Sequence, residues 1–115
     1  RYHGGPNRAL CLFALELIQQ LQAEGHPIYS GSTGENITTQ GLDFSSLKSG
    51  DQLQLGEILI EITRDAPPCK TIKDSFSDQK STRISAKIHP GESRLYAKVL
   101  ETGTIRVGDP IVLVK

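Results

Sequence analysis

Gln52-Leu53-Gln54-Leu55-Gly56-Glu57-Ile58-Leu59-Ile60-Glu61-Ile62-Thr63 is the stretch that decides the fold of this 115-residue chain. Ile58, Ile60 and Ile62 fall on one face of an extended backbone, and Leu59, Glu61 and Thr63 on the other. That two-residue period belongs to a strand with one buried face. Gln52–Leu55 alternates in the same way. Working outward, Arg94–Leu100 and Ile111–Val114 read as further strands, and the apolar run Arg8–Phe13 as a short buried one. Turn residues separate them at Gly41, Ser49-Gly50-Asp51, Gly56, Pro90-Gly91, Gly103 and Gly108-Asp109-Pro110. The pattern predicts a mainly β chain with one or two helices: a mostly antiparallel sheet that closes on itself, with a helix on its outside or end.

The helix is expected from about Ala14 to Glu24. Leu15, Ile18 and Leu21 recur at helical spacing, while Glu16, Gln19, Gln20 and Gln22 fall mostly elsewhere. Gly25 and Pro27 should end it, the first by permitting a left-handed cap and the second by removing a donor. A small repetition supports the sheet. Ser49-Gly50-Asp51 and Val107-Gly108-Asp109 each precede an alternating strand, a Gly-Asp entry common to small barrels.

Composition narrows the function classes. The chain is long enough for one core, so residues 1–115 are expected to form one domain. Lys and Arg together number 13, as do Asp and Glu, and this balance gives no support to a nucleic-acid or anionic-membrane partner. No apolar run approaches the roughly 18–20 residues that span a bilayer. The opening Arg1-Tyr2-His3-Gly4-Gly5-Pro6 is a turn and no signal peptide, and it is an unusual natural start. A truncated amino-terminus, with fold-completing elements upstream, is therefore expected. Two widely spaced cysteines make neither a disulfide framework nor a zinc site, which points to a reduced, cytoplasmic protein.

Three segments could carry chemistry. Cys69 follows the strongest strand in Asp65-Ala66-Pro67-Pro68-Cys69-Lys70, where two prolines keep the chain extended and out of the sheet interior. The thiol is expected on a stiff, partly exposed rim loop beside Lys70 and near Arg64. An ordinary thiol is only ~3% thiolate at pH 7, and cationic neighbours raise that fraction. Thiolate is the form that ligates soft metals or carries sulfur as a persulfide. An incidental loop cysteine is the competing reading. Cys11, inside Ala9-Leu10-Cys11-Leu12-Phe13, reads as packing.

The second segment is Gly31-Ser32-Thr33-Gly34-Glu35-Asn36, whose small residues admit a ligand to the backbone and whose amides could form an anion nest. Glu35 could accept from the N–H groups of a pterin, and Asn36 could donate and accept. From spacing alone, a tight turn with a solvated Glu35 is the favoured reading. The third is His3-Gly4-Gly5-Pro6-Asn7-Arg8, with His3 and Arg8 as candidates for a phosphate or oxo group, against an unstructured terminus. His26 and His89 read as exposed loop histidines, and Arg83, Lys87 and Arg94 as a solvated face. No catalytic triad order, phosphate loop or dinucleotide fingerprint occurs.

In order along the chain, these segments resemble the MOSC family, named for the carboxy-terminal domain of molybdenum cofactor sulfurases. His3-Gly4-Gly5 with Arg8-Ala9-Leu10 is followed by Gly34-Glu35-Asn36 with Gly41-Leu42-Asp43. Gly50-Asp51 and Leu55-Gly56 come next, then Ile60-Glu61-Ile62-Thr63 leading to Pro68-Cys69. Tyr96-Ala97-Lys98-Val99-Leu100, Glu101-Thr102-Gly103 and Val107-Gly108-Asp109-Pro110 close the series. Each piece is weak alone; the ordered set, with a cysteine in its family position, covers nearly the whole chain and is specific.

The resemblance implies a MOSC-type β-barrel with a pocket for molybdenum cofactor, and Cys69 as molybdenum ligand or sulfur carrier. His3, Arg8, Thr33, Gly34, Glu35, Asn36 and Lys70 would hold the cofactor. Similar stand-alone bacterial proteins reduce N-hydroxylated compounds, and mitochondrial relatives do so with electrons from a cytochrome b5 and flavin pathway. The expected partners are thus a small N-hydroxylated substrate and an electron-donor protein. In sulfurases the domain instead takes sulfur from a fused, pyridoxal-phosphate-dependent cysteine desulfurase. This chain contains no such domain, so no pyridoxal phosphate is expected on it. A persulfide carrier and a ligand-free barrel interaction module are the alternatives. The chain departs from the family in its proline segment: Pro67-Pro68-Cys69 stands where Arg-x-Pro-Cys or Gln-Pro-Cys is more usual. Asp74–Lys87 is polar and matches nothing in the family pattern.

Overall fold

The computed structural model describes residues 10–68, 72, 75–78, 81–87, 89 and 91–114. Six strands form one sheet in the order β2-β1-β5-β4-β3-β6. They are β1 (Leu10–Ala14), β2 (Ile37–Thr39), β3 (Gln52–Leu55), β4 (Ile58–Ala66), β5 (Arg94–Glu101) and β6 (Ile111–Val114), with one helix, α1 (Leu15–Ala23). Short 3-10 turns occupy Phe44–Ser46 and Ser81–Ile84. The sheet is mainly β and curled, as read from sequence. Among the described residues it forms half a barrel, with β2 and β6 as its two edges.

The opening stretch folds as a hairpin. Leu55 pairs with Ile58 across the two-residue turn Gly56-Glu57, and Gly56 takes φ 54°. Ile58, Ile60 and Ile62 are buried and their alternates half-buried, as the period requires. β4 continues three residues past the expected end, to Ala66, because β5 stays paired with it that far. Register shifts between Leu59 and Ile60 and between Ile62 and Arg64 mark irregularities that bend the sheet.

β1 is buried at all five positions, since its unbroken apolar run leaves no polar face for water. It pairs antiparallel with β5 and parallel with β2, so β1, α1 and β2 form a parallel crossover that the turn pattern did not reveal. Leu17, Ile18 and Leu21 are the buried face of α1, while Leu15 is only half-buried. The helix ends as expected. The Gly25 N–H donates to the Gln22 carbonyl and the His26 N–H to the Leu21 carbonyl, with Gly25 at φ 98°. That paired closure is a Schellman cap.

The two Gly-Asp turns share one geometry. Asp51 Oδ2 accepts the Lys48 N–H and Asp109 Oδ2 the Arg106 N–H, each at 2.8 Å. The carboxylate thus bonds the amide three residues upstream. Phe13, Ile18, Leu21, Leu53, Ile60 and Phe76 are fully buried and form the centre of the core.

Candidate functional site

The loop Gly31–Asn36 connects α1 to β2, and its shape follows from Glu35. Gly31 and Gly34 sit at φ 89° and 81°, a region that costs most side chains strain. Directly after Gly34, Glu35 turns inward and is only 7% exposed. Its carboxylate accepts from the Thr33 hydroxyl at 2.7 Å, the Gly31 N–H at 2.8 Å and the Thr38 hydroxyl at 3.4 Å. The solvated Glu35 admitted by spacing alone is therefore not what the chain forms. A buried carboxylate needs such donors to offset its lost hydration. Thr33 is buried with it, whereas Gly34 and Asn36 are exposed.

Asn36 docks the loop on β1. Its Oδ1 accepts the Cys11 N–H, and its own N–H donates to the Cys11 carbonyl. Asn36 also lines a cavity of about 440 Å³ whose wall mixes apolar Leu10, Ile58 and Ile111 with polar Thr38, Arg106 and Asp109.

Arg94 is the residue that sequence reasoning placed wrongly. Instead of a solvated face, it is 5% exposed at the first position of β5, directly opposite Ala66. Its Nη1 donates to the Thr33 carbonyl at 2.6 Å, and its Nη2 to the Pro67 carbonyl at 2.9 Å. Nε is buried and has no hydrogen-bond partner among the described residues. The guanidinium therefore joins the Gly31–Asn36 loop to the end of the strand that leads into Pro68 and Cys69. The usual Arg-x-Pro-Cys pattern would carry its arginine at the position of Ala66, the residue directly opposite Arg94.

Cys11 lies beneath these loops and is buried, as read from sequence. Burial pushes its thiol up to about 11; Arg94 opposes that rise and Glu35 adds to it. A neutral, enclosed thiol at ordinary pH is packing material. The other members of the expected basic face separate. Arg83 bridges Glu24 at 2.9 Å and Glu92 at 2.6 Å, and Lys87 is exposed. His26 is not a free loop histidine: its ring packs edge-on to Phe76, and Nδ1 accepts the Ser77 N–H. His89 is half-buried, and its N–H donates to Ser85.

Cys69, Lys70, His3 and Arg8 lie outside the described residues. Of the expected site, the structure thus brings Thr33, Gly34, Glu35 and Asn36 to one loop, beside the carbonyl two residues before Cys69. Among the described residues no group of three His, Cys, Asp or Glu gathers as a metal site, and no helix is long and apolar enough to cross a membrane.

Fold and loop arrangement together match a known class. The model of the MOSC domain matches residues 1–112, and the chain belongs to that family, which is associated with molybdenum cofactor. YiiM of Escherichia coli is 26% identical over 118 residues, which cover 99% of this chain and 52% of that protein. The uncharacterized protein YflK of Bacillus subtilis is 26% identical over 107 residues, 92% of this chain and 48% of its own length. The crystal structure of YiiM from Geobacillus stearothermophilus superposes with a TM-score of 0.79 at 30% identity, covering 97% of this chain and 57% of that one. The chain thus spans about half the length of the curated relatives it matches.

Proposed function

We propose that this chain is the cofactor-binding part of a cytoplasmic molybdenum-dependent reductase, with the Cys69 thiolate as metal ligand and an N-hydroxylated compound as substrate. The observation that carries the reading is the Arg94 guanidinium bound at once to Thr33 and Pro67. It brings together the two segments that the family resemblance assigns to the cofactor.

The donor set suits such a group. Arg94 offers a buried cation whose Nε–H has no partner among the described residues, a feature that an anionic ligand would complete. Exposed Gly34 and Asn36 would face the pterin while buried Thr33 and Glu35 hold the loop from beneath, His3, Arg8 and Lys70 would meet its phosphate, and thiolate sulfur suits a soft metal. When bound, the cofactor supplies two-electron chemistry at the N–O bond: R–NHOH + 2e⁻ + 2H⁺ gives R–NH₂ + H₂O, with electrons from a reduced redox protein. The chain's own part is to hold the thiol, to fix the loop through the Glu35 carboxylate, and to supply a low-dielectric base under it. A cavity of about 350 Å³ beside the end of β4, lined by Arg64, Asp65, Ser93 and Leu95 among others, offers room for a small substrate.

The test is turnover. Cofactor-loaded protein with an artificial electron donor should convert an N-hydroxylated amidine to the amidine at two electrons per molecule. Loaded protein that retains molybdenum yet forms no amidine overturns the reductase reading.

A further inference from the structure

We propose that Arg94 is a positioning residue: by gripping two backbone carbonyls with one guanidinium, it sets the distance between the Glu35 loop and the end of β4 that leads to Cys69. A planar guanidinium suits this task, because its fixed fork holds two acceptors at once, which an ammonium does not. The arrangement is costly as mere filling. An apolar side chain of similar length would fill the space without burying a charge, and among the described residues no carboxylate lies within 4.0 Å of Arg94. What the charge gains is two strong bonds, to Thr33 at 2.6 Å and Pro67 at 2.9 Å, from segments 34 residues apart in sequence. Cys69 is two residues beyond Pro67, so covalent geometry alone keeps its Cα within about 7 Å of the Pro67 Cα. Fixing the Pro67 carbonyl therefore confines the thiol.

The inference rests on the reading of Cys69 as the reactive thiol only for its consequence; the clamp itself is measurable without metal. Hydrogen exchange of the full-length protein tests it. In the unaltered protein the amides of residues 31–35 and 64–66 should open together, because release of one guanidinium frees both segments. Arg94→Met should speed exchange in both by about tenfold or more, with α1 and β3 amides unchanged. Arg94→Lys should restore part of the protection and part of the molybdenum retention. A packing role predicts the opposite order, since Met fills the space without a buried charge. Independent opening of the two segments in the unaltered protein overturns the proposal, as does Met protecting as well as Lys. Should Arg94→Met fail to fold, the unaltered protein decides alone. Failure of the cofactor reading would show instead as a Cys69→Ser variant that keeps its metal.

Discussion

Asn36 and Cys11 exchange two hydrogen bonds of 2.8 Å: the Asn36 side-chain oxygen accepts the Cys11 N–H, and the Cys11 carbonyl accepts the Asn36 N–H. The pairing imitates a rung of the sheet just ahead of β2, and it anchors the Gly31–Asn36 loop to the most buried strand. Asn36→Ala leaves the Cys11 N–H without its acceptor and should cost about 1–3 kcal/mol. Asn36→Asp, which keeps an acceptor oxygen, should cost less. Urea unfolding of the three proteins checks this, and an unchanged midpoint in Asn36→Ala would show that the pair bears no load.

The Cys11 thiol makes stability fall at alkaline pH. Its folded pKa of about 11 lies above the ordinary 9.0, so the folded state keeps a proton that the unfolded state gives up. Its contribution is fully present below pH 9 and is lost as pH rises toward 11, by at most about 3 kcal/mol. Cys11→Ala should flatten that limb of a stability-against-pH curve relative to the native protein. Parallel alkaline limbs for the two proteins would contradict the assignment.

Arg83 ties the end of α1 to the segment before β5 through Glu24 and Glu92. Its hydrogen bond holds the Glu24 carboxyl down to about 2, below the ordinary 4.5. The associated stabilisation is present above pH 4.5 and disappears as pH falls through 2. Both side chains contact solvent, so the effect should shrink with added salt. Glu24→Gln should reduce the loss of stability on acidification at low ionic strength, and a variant with the native acid slope would refute this.

Gly103 follows β5 and passes close to the Glu57 turn. A Cβ there would lie 2.9 Å from the Glu57 carbonyl oxygen and 2.7 Å from its Cβ. Backbone yields little, so Gly103→Ala should destabilise by about 1–3 kcal/mol, as seen in a lowered thermal midpoint. Gly34, with nothing within 4 Å of such a Cβ, should cost only the strain of its positive φ when replaced by alanine.

Five of the six strands and the helix were legible because each rests on local pattern: the Ile58, Ile60 and Ile62 alternation, the apolar face of α1, the glycine after it; β2 was not expected as a strand. The parallel pairing of β1 with β2 was not, since Ile37–Thr39 is three residues long and its partner lies 25 residues upstream. Arg94 was misread for a related reason. Along β5 it alternates with the inward Leu95 and Ala97, which puts it on the outer face. Only the three-dimensional approach of the Thr33 loop and Pro67 buries that face. Glu35 shows the same limit: its spacing fits a solvated turn, and its burial depends on Thr38 and the Gly31 amide folding back on it.

Molybdenum and pterin content tests the central claim most directly. It would be measured on the full-length protein and on Cys69→Ser, both purified without air from cells that make the cofactor. The account predicts near-stoichiometric metal and pterin in the native protein, and their loss in a variant with an unchanged thermal midpoint. Full metal in Cys69→Ser, or neither metal nor pterin in the native protein, would contradict it.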